Sequence, residues 1–293
     1  MEIQNNKGKK YFFISDIHGF APSMRDALTL AGYDKDNSEH ILVVLGDIFD
    51  RGDDSMEVYD FLRSLPKERR VLVRGNHESL LKELVKRGQE LYHDISNGTY
   101  DTLFQIAGIE RDYLKKAIWN IIKDTKDDAN PRSAELKMLA EKERVHRQLF
   151  DNPKLKEILD WIDSDEWVNY FELGDFIGVH SWIPCNRYTG KPLKDWEKAS
   201  REDWEDAMWG DPCEKLLAGD YPRGKTIICG HWHASDFHKR VEGDPFGEDN
   251  FNLYFGKHCI AIDACTAWSG FCNVLVIDEK FNCYDKYGNL LKV

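Results

Sequence analysis

Residues 11–19, Tyr11-Phe12-Phe13-Ile14-Ser15-Asp16-Ile17-His18-Gly19, set an apolar run of strand length directly against a carboxylate and an imidazole. The same arrangement recurs downstream. GDIFDRG (46–52) follows ILVVL, GNHE (75–78) follows VLVR, HSW (180–182) follows FIGV, and GHWH (230–233) follows TIIC. Strand-length runs are expected at Tyr11–Ser15, Ile41–Leu45, Val71–Val73, Phe176–Val179, Thr226–Cys229, Cys259–Ile262 and Val274–Ile277, each rich in β-branched or aromatic residues. Between the first three lie helical periods at Pro22–Ala31, with proline in the first turn, and Ser55–Leu65. A β-α-β-α-β opening predicts an α/β fold with parallel strands. In such sheets ligands gather at the carboxyl ends of strands, so the five polar clusters are expected in one cleft.

From Ser79 to Trp167 the character changes to charged amphipathic stretches such as LLKELVKRGQELYHDI and AELKMLAEKERVHRQLF, broken at Asn97–Gly98 and Asn130–Pro131. This predicts a helical insertion over 79–167 within one domain spanning 1–293. The segments Tyr188–Pro222 and Val241–Asn252 read as surface loops. With 293 residues, 42% hydrophobic and 12% aromatic, the chain can bury a large core. The net charge of −12 weighs against nucleic acid, whose binding needs Lys and Arg to neutralise phosphates. A small phosphorylated substrate remains compatible, because bound cations reverse the local field. No apolar run reaches membrane-span length, and MEIQNNKGKK lacks the features of a signal peptide. The expectation is a soluble cytoplasmic protein whose seven cysteines, without a C-x-x-C pair, remain thiols.

The polar residues closing the strands are Asp16, His18, Asp47, Asn76, His180 and His231. Oxygen and imidazole donors in this mixture suit manganese, iron or zinc rather than a thiolate site. Asp16 and His18 are separated by one residue, so persisting strand geometry would point both the same way. Asp47 closes an apolar strand, where a lone carboxylate is costly to desolvate and a cation offsets that cost. It is the natural shared ligand.

In order, Asp16-Ile17-His18-Gly19, Gly46-Asp47-Ile48-Phe49-Asp50-Arg51-Gly52 and Gly75-Asn76-His77-Glu78 resemble the motifs of the phosphoprotein phosphatase family, bacterial and phage type, within the calcineurin-like metallophosphoesterases. The resemblance extends to His180, to Trp209-Gly210-Asp211-Pro212 and to Ile262-Asp263. It implies a sandwich of two mixed sheets flanked by helices, and two divalent cations, with manganese first and iron or zinc as alternatives. Asp16, His18 and Asp47 would hold one; Asp47, Asn76, His180 and His231 the other. His77, paired with Asp50, would protonate the leaving oxygen. Arg51, Arg223 and Asn76 would contact the phosphate. A metal pair about 3.5–4 Å apart can lower the pKa of a bridging water for in-line attack.

One departure concerns the last motif, Gly230-His231-Trp232-His233, where His233 is similar to an additional metal ligand of metallophosphodiesterases. The leading expectation is a phosphomonoesterase acting on phosphorylated Ser or Thr in protein. A dinucleoside polyphosphate hydrolase is the first rival, and a phosphodiesterase the second. A non-catalytic phosphoprotein-binding module would have lost ligands, and all six are present.

Overall fold

Along β1 (Lys10–Ile14) the side chains part to two faces, Tyr11 and Phe13 to one and Phe12 and Ile14 to the other, and all four are buried. A strand covered on both faces reads as a continuous apolar run rather than an alternating one. β2 (His40–Val44) and β3 (Arg70–Val73) repeat this, Leu42, Val44 and Leu72 lying on the Phe12 side and Ile41, Val43 and Val73 on the Tyr11 side. In this computed structural model, which describes residues 6–125 and 131–292, the three strands pair in parallel as expected, with Phe12 opposite Leu42 and Val43 opposite Val71. β4 (Trp167–Val168) adds to β3 in parallel.

The second sheet comprises β5 (Phe171–Leu173), β6 (Phe176–Gly178), β7 (Thr226–Cys229), β8 (Tyr254–Phe255) and β9 (Cys259–Ala261), in the order β5-β6-β7-β9-β8. β10 (Leu275–Ile277) and β11 (Cys283–Tyr284) return antiparallel to complete the first sheet as β11-β10-β1-β2-β3-β4. Tyr11, Phe13, Val43, Phe171, Ile228 and Ile260 form the core between the sheets. The fold is therefore the expected α/β arrangement of two mixed sheets flanked by helices.

Helices cover the outer faces. α1 (Ala21–Leu30) and α2 (Ser55–Ser64) connect the parallel strands. The helical segment that follows contains α3 (Asn76–Arg87), α4 (Tyr92–Ser96), α5 (Thr99–Ala107), α6 (Tyr113–Thr125), α7 (Pro131–Phe150) and α8 (Pro153–Ile162). Leu103 of α5, Leu149 of α7 and Ile158 of α8 are buried in the same cluster as Phe12 and Leu42, so these helices are built onto the first sheet. The break expected at Asn97–Gly98 separates α4 from α5; Asn130, of the second break, lies outside the described residues. No helix among the described residues is long and apolar enough to cross a membrane.

The segment 188–222 differs from the loop expected of it. It contains α9 (Arg201–Met208) and α10 (Pro212–Ala218). Ser200 caps α9, its hydroxyl accepting the Asp203 N–H at 3.1 Å, and Trp204 and Trp196 are buried beside Tyr170. Two helical turns are too short to establish a period among so many acidic residues. α11 (Ala234–Arg240) and α12 (Thr266–Ser269) close the set.

Candidate metal centre

The carboxyl ends of β1, β2, β3, β6 and β7 do converge. Asp16, His18, Asp47, Asn76 and His180 are each no more than 2% exposed, and His231 is half-buried. Asp16 and His18 meet for a reason other than strand alternation. β1 ends at Ile14, and both residues are left-handed, with φ of 49° and 48°. Asp47, Asp50, Arg51 and His231 are left-handed too, at 56°, 74°, 64° and 65°. Backbone of this hand is uncommon outside glycine, with Asp, Asn and His the best tolerated substitutes. Two glycines allow the close approach of the loops. A Cβ at Gly230 would lie 2.0 Å from Asp16 Oδ2, and one at Gly75 2.2 Å from Asp47 Oδ1.

The imidazoles are oriented from behind. His18 Nδ1 donates to the Phe49 carbonyl at 2.9 Å, and His180 Nδ1 to the Leu45 carbonyl at 2.8 Å. A carbonyl only accepts, so Nδ1 carries the proton and Nε2 faces the cleft with its lone pair. Around Asp47 Oδ2 stand Nε2 of His180 at 3.5 Å, of His18 at 3.8 Å and of His77 at 3.9 Å. Asp16 Oδ1 is 4.0 Å from His18 Nε2, and Asn76 Oδ1 is 2.7 Å from His180 Nε2. Asp16 also accepts the His231 N–H, at 3.0 Å to Oδ2.

Burial and the neighbouring Asp47 raise the Asp16 pKa to about 7. Burial and His180 lower that of His231 to about 3, keeping its ring neutral, as a ligand must be. For Asp47 burial works against ionisation, but His180, His77 and His18 outweigh it and hold the carboxyl below its usual range.

His77 stands apart in its hydrogen bonding, with Nδ1 2.7 Å from Asp50 Oδ2 and Nε2 3.4 Å from Arg51 Nη2. Burial lowers its pKa, yet Asp47 and Asp50 prevail and the net shift is upward. Three supporting residues escaped the sequence reading. Thr99 and Thr102 donate to Asp50, and Glu78 accepts the N–H groups of Asp47, Ile48 and Gly75 at 3.1, 3.0 and 2.9 Å. Glu78 had a visible signal, being the N3 glutamate of a capping box at the start of α3. Thr99 and Thr102 had none.

Two further expected residues make none of these contacts. Arg223 is exposed and lies three residues before β7, at the edge opposite His231. His233 is at the N-terminus of α11 with a 38% exposed side chain, 3.9 Å from Asp236, and belongs to neither cluster of convergent ligands among the described residues. Those clusters are Asp47, His180 and His231, and His18, Asp47 and His77, each with one ligand atom per residue within 4.8 Å of the others. The first agrees with the expected set. The second has His77 where Asp16 was expected, although Asp16 adjoins His18.

Buried carboxylates beside lone pairs fixed toward a common point form a donor set that a divalent cation satisfies. The Calcineurin-like phosphoesterase profile matches residues 9–262, and the chain belongs to that family, hydrolases acting on phosphoester bonds with divalent metals. A symmetrical bis(5'-nucleosyl)-tetraphosphatase from Buchnera aphidicola subsp. Acyrthosiphon pisum (strain Tuc7) is 40% identical over 67 residues, a match covering 23% of this chain and 23% of that relative. Among solved structures, a cold-active protein tyrosine phosphatase is similar over 97% of this chain and 78% of its own, at 14% identity and a TM-score of 0.53. A structure of the cold-active protein-tyrosine phosphatase of a psychrophilic Shewanella species is similar over 97% of this chain and 80% of its own at 14% identity, with a TM-score of 0.50. At such identity these structures establish the fold alone.

Proposed function

We propose that the chain is a phosphomonoesterase using two divalent cations, manganese first among them, with phosphorylated Ser or Thr in protein as the leading substrate class. Asp16, His18 and Asp47 would hold one cation, and Asp47, Asn76, His180 and His231 the other. When bound, the pair supplies charge neutralisation at phosphate and a lowered pKa for water. The observation carrying the reading is His77, whose Nδ1 is tied to buried Asp50 at 2.7 Å while Nε2 faces Asp47 and Arg51. His77 delivers a proton from Nε2 to the leaving oxygen, and Asp50 keeps the ring in register. Exposed Arg51 binds phosphate oxygens through its guanidinium fork.

Beside Gly75 opens a groove of about 350 Å³ lined by Arg74, Glu78, Lys82, Asp163 and Arg201, with room for the remainder of a substrate. Residues 79–167 would be an insertion in the single domain, forming a cap beside the cleft that helps select the leaving group. Seven free cysteines suit the cytoplasm as the place of action. The tetraphosphatase resemblance favours a second reading, hydrolysis of a dinucleoside polyphosphate.

A panel of phosphopeptides, dinucleoside polyphosphates and phosphodiesters, assayed at matched metal content, tests both. Highest kcat/KM on phosphopeptides is the expected result, and preference for the dinucleotide selects the second reading. Metal-loaded protein inert toward every phosphoester, and unchanged by His77→Ala, would rule out both.

A further inference from the structure

We propose that α5 positions the reaction centre, with Thr99 and Thr102 fixing the Asp50 carboxylate, and through it the His77 ring, by two hydroxyl hydrogen bonds. The inference rests on the proposed role of His77 as the proton donor. It assigns to the helical insertion a part in the chemistry itself.

One face of α5 is devoted to the loop that carries Asp50 and Arg51. Thr99 Oγ1 donates to Asp50 Oδ2 at 2.6 Å and Thr102 Oγ1 to Asp50 Oδ1 at 2.7 Å, while Thr102 Oγ1 also accepts the Asp50 N–H at 3.2 Å. One turn further on, Gln105 Oε1 accepts the Ser55 N–H and Gln105 Nε2 donates to the Gly52 carbonyl, each at 2.8 Å. Residues 99, 102 and 105 are three apart and so share a face. Just ahead of the helix, Gly98 packs so tightly that a Cβ would lie 2.5 Å from the Arg51 nitrogen. Arg51 and Asp50 are both left-handed, a conformation that persists only where surroundings enforce it.

Asp50, Thr99 and Thr102 are 0% exposed, so no bulk water replaces a lost donor. Threonine is a poor helix former, and a buried hydroxyl costs free energy unless bonded. Both hydroxyls meet that cost by donating to the one carboxylate at 2.6 and 2.7 Å, shorter than the 3.4 Å from Thr102 Oγ1 to the Gly98 carbonyl. With both in place, each Asp50 oxygen has a hydroxyl donor, and Oδ2 is aimed at His77 Nδ1. The hydroxyls touch neither a cation ligand nor the cleft. They act through Asp50.

The test compares Thr99→Val, Thr102→Val and the double variant with Thr99→Ser and Thr102→Ser. Each is assayed on p-nitrophenyl phosphate, whose leaving group departs readily, and on phenyl phosphate, whose leaving group needs a proton. The expected result is a loss in kcat of about 10- to 100-fold on phenyl phosphate for the double valine variant, with KM little changed and p-nitrophenyl phosphate affected less than about threefold. The serine variants stay near the parent. Equal loss on both substrates, no loss on either, or serine as damaging as valine overturns the proposal.

His77→Ala and Asp50→Asn run in parallel separate the two claims. If neither shows the leaving-group difference, the proton-donor reading fails. If both show it and the threonine variants do not, only the role of α5 fails. Metal-free protein gives an independent readout, the His77 Nδ1–H proton resonance. Faster solvent exchange of that proton is expected in each valine variant, single or double, and an unchanged resonance counts against the proposal.

Discussion

At Asp47 one carboxylate oxygen faces three imidazole nitrogens within 3.9 Å, a crowding that positive charge makes favourable. Asp47→Asn keeps the shape and removes the charge. Turnover of an aryl phosphate is expected to fall more than about 100-fold at matched metal content, and near-parental turnover would count against the shared-ligand role. His77→Ala is expected to lower kcat by about 10²- to 10⁴-fold while leaving bound metal unchanged. A loss of metal from that variant would instead make His77 a ligand, as its place beside His18 and Asp47 allows. Asp47 was legible because a carboxylate ending an apolar strand contradicts its surroundings. Thr99 and Thr102 were not, since threonine on an amphipathic helix contradicts nothing. Arg223 was read by its neighbours in sequence, and it lies exposed three residues before β7.

Among the elements, Glu166 ties α8, β3 and the turn between α2 and β3. Its carboxylate bonds Arg70 and Lys67, at 2.5 and 2.8 Å, and the Trp161 indole at 3.2 Å. Burial raises its pKa, but the bonds to Lys67, Arg70 and Trp161 prevail and lower it from 4.5 to about 2. A lowered carboxylate pKa gives stability that is present above the unfolded value and lost as pH falls through the folded one. That stability should therefore decline between about pH 4.5 and 2. Glu166→Gln is expected to cost about 1.5–3 kcal/mol in urea titration at neutral pH. The variant should also lose less stability on acidification than the parent, and parallel losses would refute the linkage. Long strands and α1 were legible because each carries its own period or proline. β4, β8 and β11 have two residues each, and no period fits in two. They exist only because a longer neighbour offers an edge.

For the whole molecule, the two sheets meet through Phe13, whose ring lies 6.2 Å from that of Phe171. Phe13→Ala is expected to cost about 3–5 kcal/mol, read as a lower urea midpoint. The expected ligands divide between the sheets. Asp16, His18, Asp47 and Asn76 follow β1, β2 and β3, whereas His180 and His231 follow β6 and β7. Cations at a hundredfold excess over their dissociation constant would add about 2.7 kcal/mol to stability, lost on chelation. An unchanged melting temperature on chelation would place the cations away from this seam. A divalent ion gripped from both halves works as a clasp, so its affinity includes whatever is needed to keep the halves aligned. Loosening the interior at Phe13, itself no ligand but three residues before Asp16, would then be felt as weaker retention of metal, and the hold on the ion becomes a gauge of how well the sandwich is closed.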